Sequence, residues 1–359
     1  MTNTFGKYFR ITTWGESHGK AIGVVADGVK PGLKISEAEI QKELDRRRPG
    51  QSKVVTQRQE TDKIEILSGI FEGKTTGMPI SLVIWNKDQK PGSYEKIKNL
   101  FRPGHAGYTW LQKYGIYDYR GGGRSSARET ANWVSSGAIA KKMLAGKGIK
   151  IVGYVKQVGN IKADKIDYDE IRKNPVNCPD RNAAKKIERL LLKTKKEGDS
   201  LGAIIEVAAL NVPAGLGDPV FDKLDANIAK ALMSINAVKG VEIGAGFSLA
   251  LMKGSESNDA FIRKNGKIMT KTNNSGGILG GVSNGMPIVA RIAVKPTSSI
   301  LKSQETLTLQ GKKAKISVEG RHDPCVGIRA VPIAEAMMAN VLADAFLRQE
   351  NLMKNRKNK

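Results

Sequence analysis

Residues 64–84 read IEILSGIFEGKTTGMPISLVI, two apolar runs, Ile64 to Leu67 and Ile80 to Ile84, joined through Gly69, Gly73 and Gly77. Short β-branched runs bounded by glycine and proline read as strands, and a connection without helical periodicity pairs them antiparallel. The connection holds a decoy, because Gly73-Lys74-Thr75 imitates the end of a phosphate-binding loop. Such a loop needs its first glycine where this chain has Ser68; Gly69 comes one residue late, and a strand follows where a helix is required. The segment therefore reads as a hairpin. Working outward, Tyr8 to Thr13 is strand-like, and Ser36 with Glu39 three positions on forms a capping box for a helix that stops at Arg46-Arg47-Arg48-Pro49-Gly50. Periodicity then predicts a helix over 129–144, a strand over 149–158, a basic amphipathic helix over 182–196, a strand over 203–210, a helix over 221–233, a glycine-punctuated β region, and a last helix over 333–348. Strands arrive in antiparallel runs and not in a βαβ rhythm, which predicts an α+β fold. No repeat or low-complexity linker divides the chain, so 1–359 is expected to form one domain, with residues 354–359 as a mobile basic tail.

The chain has 359 residues, 40% hydrophobic and 26% charged, enough apolar material for a real core. Its longest apolar stretches, Met78 to Trp85 and Val289 to Val294, fall well short of the ~20 residues of a membrane span, so no membrane is expected. The first residues run into a strand without a signal core, which predicts a cytoplasmic location. Cys178 and Cys325 form no disulfide framework. Charge is more informative: 59 basic against 35 acidic residues give +24, only four of the cations lying in Lys354 to Lys359. A body this basic is built to meet an anion. Aromatic residues are 6% of the chain and do not interleave with the basic clusters, whereas single-strand binders need stacking platforms beside their charges. A nucleic-acid-binding protein that grips phosphates with a Gly/Arg loop is thus the competing class, and phosphorylated small molecules are the favoured partner.

Three histidines, His18, His105 and His322, all lie in glycine- or proline-rich loops beside Ser, Arg or Asp. Histidine is suited to proton transfer near neutral pH; one loop histidine alone is more often a solvated residue, but three in such contexts point to chemistry. Residues 120–130, RGGGRSSARET, place glycines, hydroxyls and three arginines before a helix, where exposed amides, the helix dipole and guanidinium forks make an anion site. Lys295-Pro296-Thr297-Ser298-Ser299 repeats the theme after a strand. Arg46 to Arg48 sit at a helix C-terminus with forks to spare for a ligand. The lysines of 185–196 read as a solvated face, since Ile187, Leu190, Leu191 and Leu192 bury the other side. His322 and Cys325 have ligand-like spacing but lack a second pair, and no metal is expected.

These blocks resemble one family, the chorismate synthases, over nearly the whole chain. Gly15-Glu16-Ser17-His18-Gly19, GGGRSSARET over 121–130 and RHDPCVGIRAVPIAEAM over 321–337 carry the resemblance, and 45–50, 102–105 and 235–240 add to it. The resemblance implies a β-α-β sandwich, with antiparallel sheets around a helical layer, assembled as a homotetramer. It implies a lyase reaction, the 1,4-anti-elimination of phosphate from 5-enolpyruvylshikimate 3-phosphate to give chorismate, the last step of the shikimate pathway, with reduced FMN and no net redox change. By motif match His18 lies at the leaving phosphate, a cationic His105 faces the flavin, Asp323 assists proton removal and Ser17 serves as relay. FMN is implied at Arg124, Ser125, Ser126, Asn236, Ala237, Gly280, Lys295, Pro296, Thr297, Ser298, Ser299 and Arg321, and substrate anions at Arg47, Arg48, Arg102 and Arg128.

Some relatives also bind NADPH, at positions matching Arg47 and Lys53. The second is usually arginine; lysine lacks the bidentate fork, so NADPH is expected only as an external source of reductant, and a flavin reductase is the third reading. Gly107 and Ala245 stand where the family commonly has Asp, and Trp133 where a basic residue is usual. None lies at the centre of a block, so altered tuning and an unchanged reaction are expected.

Overall fold

A computed structural model describes residues 3–50, 52, 54–56, 61–87, 95, 97–318 and 322–357, with side chains as far as residue 353. The first sheet is β1 (Thr4–Phe5), β2 (Arg10–Gly15), β3 (Ala21–Asp27), β4 (Ile64–Ile66) and β7 (Ile80–Trp85), in the order β1-β2-β3-β7-β4. All its pairs are antiparallel, and Ile64 opposite Ile84 sets the register of the stretch that decides the fold. Within that stretch β5 (Ile70–Phe71) pairs with β6 (Lys74–Thr75), so the imitation of a phosphate loop is a hairpin.

The second sheet is β8 (Lys150–Val158), β9 (Ile161–Lys162), β10 (Ala203–Leu210), β11 (Val238–Ile243) and β16 (Ile288–Val294), ordered β11-β16-β10-β8-β9 and again antiparallel. Three small ribbons complete the strands: β12 (Phe261–Lys264) with β13 (Lys267–Thr270), β14 (Ile278–Leu279) with β15 (Val282–Ser283), and β17 (Gln304–Leu307) with β18 (Lys313–Ile316).

Helices α1 (Glu37–Arg47), α3 (Thr130–Ala145) and α7 (Gly327–Lys357) form the central layer; α3 packs on β2 and β3, α7 on β8 and β10, and the helices pack on each other. A helix between two sheets has no solvent face, and α3 is accordingly buried almost all round from Thr130 to Ala140. Its crossing with α7 is close: a Cβ on Gly137 would stand 2.4 Å from that of Ala336. α1 carries the capping box at Ser36 and Glu39, and buries Ile40 and Leu44. Outside the layer lie α2 (Gly107–Tyr114), α4 (Arg181–Lys196), α5 (Leu224–Met233) and the single turn α6 (Gly254–Ser257). α4 buries Ile187 and Leu191 and turns its lysines outward.

The strand expected over 8–13 is observed at Arg10–Gly15, and the starts of two helices differ from expectation. The helix anticipated over 221–233 begins at Leu224, after a 3-10 turn in which Val220 has φ +72 and Phe221 projects 93% exposed. The last helix runs from Gly327 and passes through Pro332, a residue that removes one backbone donor. The carbonyl that loses this donor, Ile328 O, instead accepts Asn177 Nδ2 at 3.5 Å, so a partner from another element lets the helix start early. Gly327–Met353 is long and apolar enough to cross a membrane by composition, yet 83% of its most apolar window is buried inside the protein, which makes it a core helix.

One ionic cluster pins the layers. Glu335 of α7 accepts from Arg46 of α1 and Lys141 of α3, each at 2.6 Å, and from the Gly153 amide of β8 at 2.9 Å. Burial alone would raise its pKa, but Lys141 and Arg46 hold it down to about 2.

Candidate active site

The turn between β2 and β3 carries Ser17 and His18. Gly15 opens it at φ +87, where a Cβ would lie 2.2 Å from Ala21 O, so only glycine fits. Ser17 Oγ lies 3.2 Å from His18 Nδ1. Asn86, one residue past β7, closes the turn from outside, donating through Nδ2 to Glu16 O at 3.0 Å and Gly19 O at 2.8 Å.

The glycine run ahead of α3 faces this turn. Gly121, Gly122 and Gly123 all have positive φ. A Cβ on Gly121 would lie 2.3 Å from His18 Cε1, and one on Gly122 would lie 3.0 Å from His105 Cε1. Two residues far apart in sequence thus stand against neighbouring glycines of one loop. His105 belongs to a turn docked on the 295–299 segment: Gly104 O accepts Lys295 Nζ at 2.8 Å and Ser298 Oγ at 3.0 Å. Asn236 donates to Ser125 O at 2.8 Å, and Ala237, at φ +67, accepts the Lys295 amide at 2.8 Å. Thr297 Oγ1 donates to Asp323 O at 2.8 Å.

From Asp323 the ring continues through arginines. Its Oδ1 accepts the Thr56 amide at 2.8 Å and its Oδ2 accepts Arg329 Nη1 at 2.9 Å, while Arg329 Nε donates to Arg47 O at 3.0 Å. Arg47 donates to Asp62 at 2.6 Å, to Thr130 Oγ1 at 3.1 Å and to Ala127 O at 3.0 Å. The other Asp62 oxygen accepts Arg128 Nη1 at 2.5 Å, and Arg128 Nε donates to Asn86 Oδ1 at 2.6 Å, which returns to the His18 turn. Of the residues anticipated from sequence, Asp323, Arg47, Arg128, Lys295, Thr297, Ser298, Asn236 and Ala237 take part in these bonds.

The rest are placed as follows. Arg124 is engaged internally, with Glu129 at 2.6 Å, Thr13 Oγ1 at 2.8 Å and Gly15 O at 3.0 Å. Ser126 Oγ accepts the Arg128 amide at 3.3 Å. Arg48 pairs with Asp45 at 3.3 Å near the surface. Gly280 lies at the exposed tip of the β14–β15 ribbon with nothing within 4 Å of a would-be Cβ. Lys53 and Arg321 lie outside the described residues. Of the departures, Gly107 opens α2 with its missing Cβ 3.3 Å from Tyr117, Trp133 lines the cleft described next, and Ala245 precedes a 3-10 turn away from it.

A cleft of about 1160 Å³ opens beside the ring, bounded by His105, Gly122, Arg124 and the rings of Trp14, Trp110 and Trp133. Around it, His105 Nδ1 and Asn236 Oδ1 are buried polar atoms without a hydrogen-bond partner among the described residues. Buried polar atoms left unpaired in a native site mark a place for a ligand. Their chemistry, one imidazole nitrogen and one amide oxygen beside Lys295 and Arg102, fits an anionic group bound to a flat heterocycle that carries both donors and acceptors.

Without a ligand, His105 does not carry the charge expected of it beside a bound flavin. Burial, with the nearby Arg102 and Lys295 charges, pushes its pKa down to about 4, so the ligand-free imidazole is neutral at pH 7. Unfolding releases it to the ordinary value of 6.5, so the unfolded chain binds the proton first and stability falls as pH drops from about 6.5 to about 4. His105→Gln is expected to flatten urea-unfolding free energy across that window by roughly 1–3 kcal/mol; an unchanged slope would refute the neutral imidazole.

Sequence reasoning missed Asp62, Asn86 and the partnership of Glu129 with Arg124. Asp62 and Asn86 flank the hairpin that decided the fold, yet nothing in their local pattern marks them, because their partners are distant in sequence.

Known proteins resemble this chain along nearly its whole length. The profile of the family described as Chorismate synthase matches residues 9–347. The chain is 58% identical over 351 residues to a chorismate synthase of Methanosarcina mazei, covering 96% of each, and 56% identical to one of Methanococcoides burtonii, covering 98% of each. A chorismate synthase of Pelagibacter ubique is 57% identical, with 96% of this chain and 97% of that one covered. A solved structure, titled as a crystal structure of chorismate synthase, superimposes with a TM-score of 0.79 at 33% identity, covering 99% of this chain and 98% of that one. With its sandwich, its two histidines across one glycine loop and this full-length similarity, the chain belongs to the chorismate synthase family.

Proposed function

We propose that the chain eliminates phosphate from 5-enolpyruvylshikimate 3-phosphate to give chorismate in a reaction that depends on reduced FMN. The observation that carries this reading is the placing of His18 and His105 against adjacent glycines, with Lys295 and Asp323 in the same hydrogen-bonded ring. Reduced FMN, when bound, would supply transient electron density with no net redox change. Arg124, Ser125, Ser126, Asn236, Ala237, Gly280, Lys295 to Ser299 and Arg321 would hold it, Asn236 Oδ1 and His105 Nδ1 gaining the partners they lack.

The chain's own groups divide the work. His18, oriented by Ser17, donates a hydrogen bond or proton to the departing phosphate oxygen. Asp323 is kept as an oriented carboxylate by Thr56 and Arg329, and assists removal of the ring proton. His105, neutral when free, gains a proton once an anion offsets Arg102 and Lys295. Arg48, Arg102 and Arg128 meet substrate carboxylates and phosphate. Arg47, 2% exposed and donating to Asp62, Thr130 and Ala127, adds a fixed positive potential.

The same reading takes the chain as one cytoplasmic domain within a homotetramer, in which Phe221, Phe247 and Leu251, now 80–93% exposed, are covered by neighbouring copies. NADPH acts only as an external reductant source, since Lys53 replaces a fork with a point charge. Nothing in the comparisons favours the nucleic-acid reading. The test is anaerobic turnover of substrate with chemically reduced FMN, following chorismate absorbance and free phosphate together, beside an arm with NADPH and oxidised FMN. Equal chorismate and phosphate in the first arm alone is the expected result. Product in the NADPH arm overturns the external-reductant reading, and no product in either overturns the function.

A further inference from the structure

We propose that Asn86 is a positioning residue for the elimination: its carboxamide clamps the turn bearing Ser17 and His18 onto Arg128 and so sets where the His18 ring stands. The proposal rests on the reading of His18 as the group at the leaving phosphate.

In the turn from Glu16 to Gly19 the Gly19 amide donates to Glu16 O at 3.1 Å. Asn86 Nδ2 donates to both of the carbonyls that end the turn, and its Oδ1 accepts Arg128 Nε. A carboxamide is the one short side chain that offers two donors on one atom and an acceptor on the other. Here carbonyls face the nitrogen and a guanidinium faces the oxygen, so the amide has a single satisfactory orientation. Its Cα is fixed as well, because the Asn86 amide donates to Lys20 O at 3.0 Å and extends the β3–β7 ladder by one position. A rigid strand end therefore reaches across to both ends of the loop that carries His18. On the far side Arg128 is held by Asp62. The position of His18 relative to the arginines is thus transmitted through three atoms of one side chain, and a misplacement of about 1 Å at a reacting group costs on the order of 100-fold in rate.

The experiment compares the full-length wild type with Asn86→Asp and Asn86→Ala. The first keeps the volume and the acceptor for Arg128 but turns both donors into an anion facing two carbonyls. The second removes donors without adding charge. Histidine ring resonances of the ligand-free proteins, assigned with His→Gln variants and titrated from pH 3 to 9, a range that includes the His105 transition near 4, are read beside kcat and reduced-FMN affinity. Both variants are expected to lose about 100-fold in kcat, to shift the His18 resonances and titration, and to leave His105 titration and flavin affinity within twofold. A kcat within threefold of wild type, or unmoved His18 signals, overturns the proposal. Parallel losses at His18, His105 and flavin affinity in both variants also overturn it, since they show a general brace and not a clamp on one turn. If wild-type protein makes no chorismate, the functional reading fails while the ring resonances still decide whether Asn86 positions His18.

Discussion

Gly121→Ala is expected to lower kcat by two to three orders of magnitude, the share of rate that a displaced proton donor typically carries. The added methyl would lie 2.3 Å from His18 Cε1, 2.7 Å from Nδ1 and 3.2 Å from Ser17 Oγ, all well inside contact distance. The loop cannot retreat easily, because Gly122 behind it already stands against His105. The imidazole is the movable party, and it swings away from its place beside Ser17. The backbone adds a second cost, as φ +72 is a left-handed conformation that disfavours a Cβ by about 1–2 kcal/mol.

Gly148→Ala separates these contributions. Gly148 has φ +77 and nothing within 4 Å of its would-be Cβ, at the far end of α3 from the site. This variant is expected to lose similar stability in urea unfolding and to keep wild-type turnover. If Gly121→Ala retains more than a tenth of wild-type kcat at an equal stability loss, then His18 tolerates displacement and its assigned role fails.

The legible parts of this protein are those decided over short distances. The 64–84 hairpin follows from glycine spacing and two β-branched runs, α1 from Ser36 and Glu39, and β10 from Ala203 to Leu210 without error at either end. The glycine loop of 120–130 ahead of α3 is legible because its glycines, hydroxyls and arginines fall in one run. What stayed hidden depends on partners far along the chain. Pro332 reads as a helix boundary until Asn177, 155 positions earlier, supplies the donor that proline lacks. The neutrality of ligand-free His105 is hidden for the same reason, since it follows from burial beside Arg102 and Lys295. Arg124 reads as a fork awaiting phosphate, whereas Glu129 and Thr13 already occupy its N–H groups. An arriving anion must therefore share or displace Glu129, whose own pKa burial raises.

Asp62→Ala is expected to destabilise the fold by about 3–5 kcal/mol, the cost of removing one partner from a buried ion pair. Asp62 is fully buried, and its two oxygens separately take Arg47, 2% exposed, and Arg128, 12% exposed. With the carboxylate gone, two guanidinium groups remain in a low-dielectric layer without the anion that joins them, and each must either stay desolvated or shift toward water. The Arg47 and Arg128 charges, with Arg329 beyond them, hold the Asp62 carboxyl below its usual range even though burial works in the opposite direction. Its stabilising effect is therefore fully present above the ordinary carboxylate pKa and is lost only as pH falls below it. Asp62→Asn tests the charge separately from the shape: one acceptor survives, but the amide nitrogen now faces a guanidinium, so a loss of roughly 2–4 kcal/mol is expected with turnover reduced further than stability. Urea unfolding at pH 7.5 reads the first quantity and saturating turnover the second. Loss of less than about 1 kcal/mol in Asp62→Ala would mean that Arg47 and Arg128 find water or other partners on their own. The ring joining Asp323 to the His18 turn would then be a set of neighbours without a keystone, and the distance between the two ends of the site would have to be set by the helical layer alone.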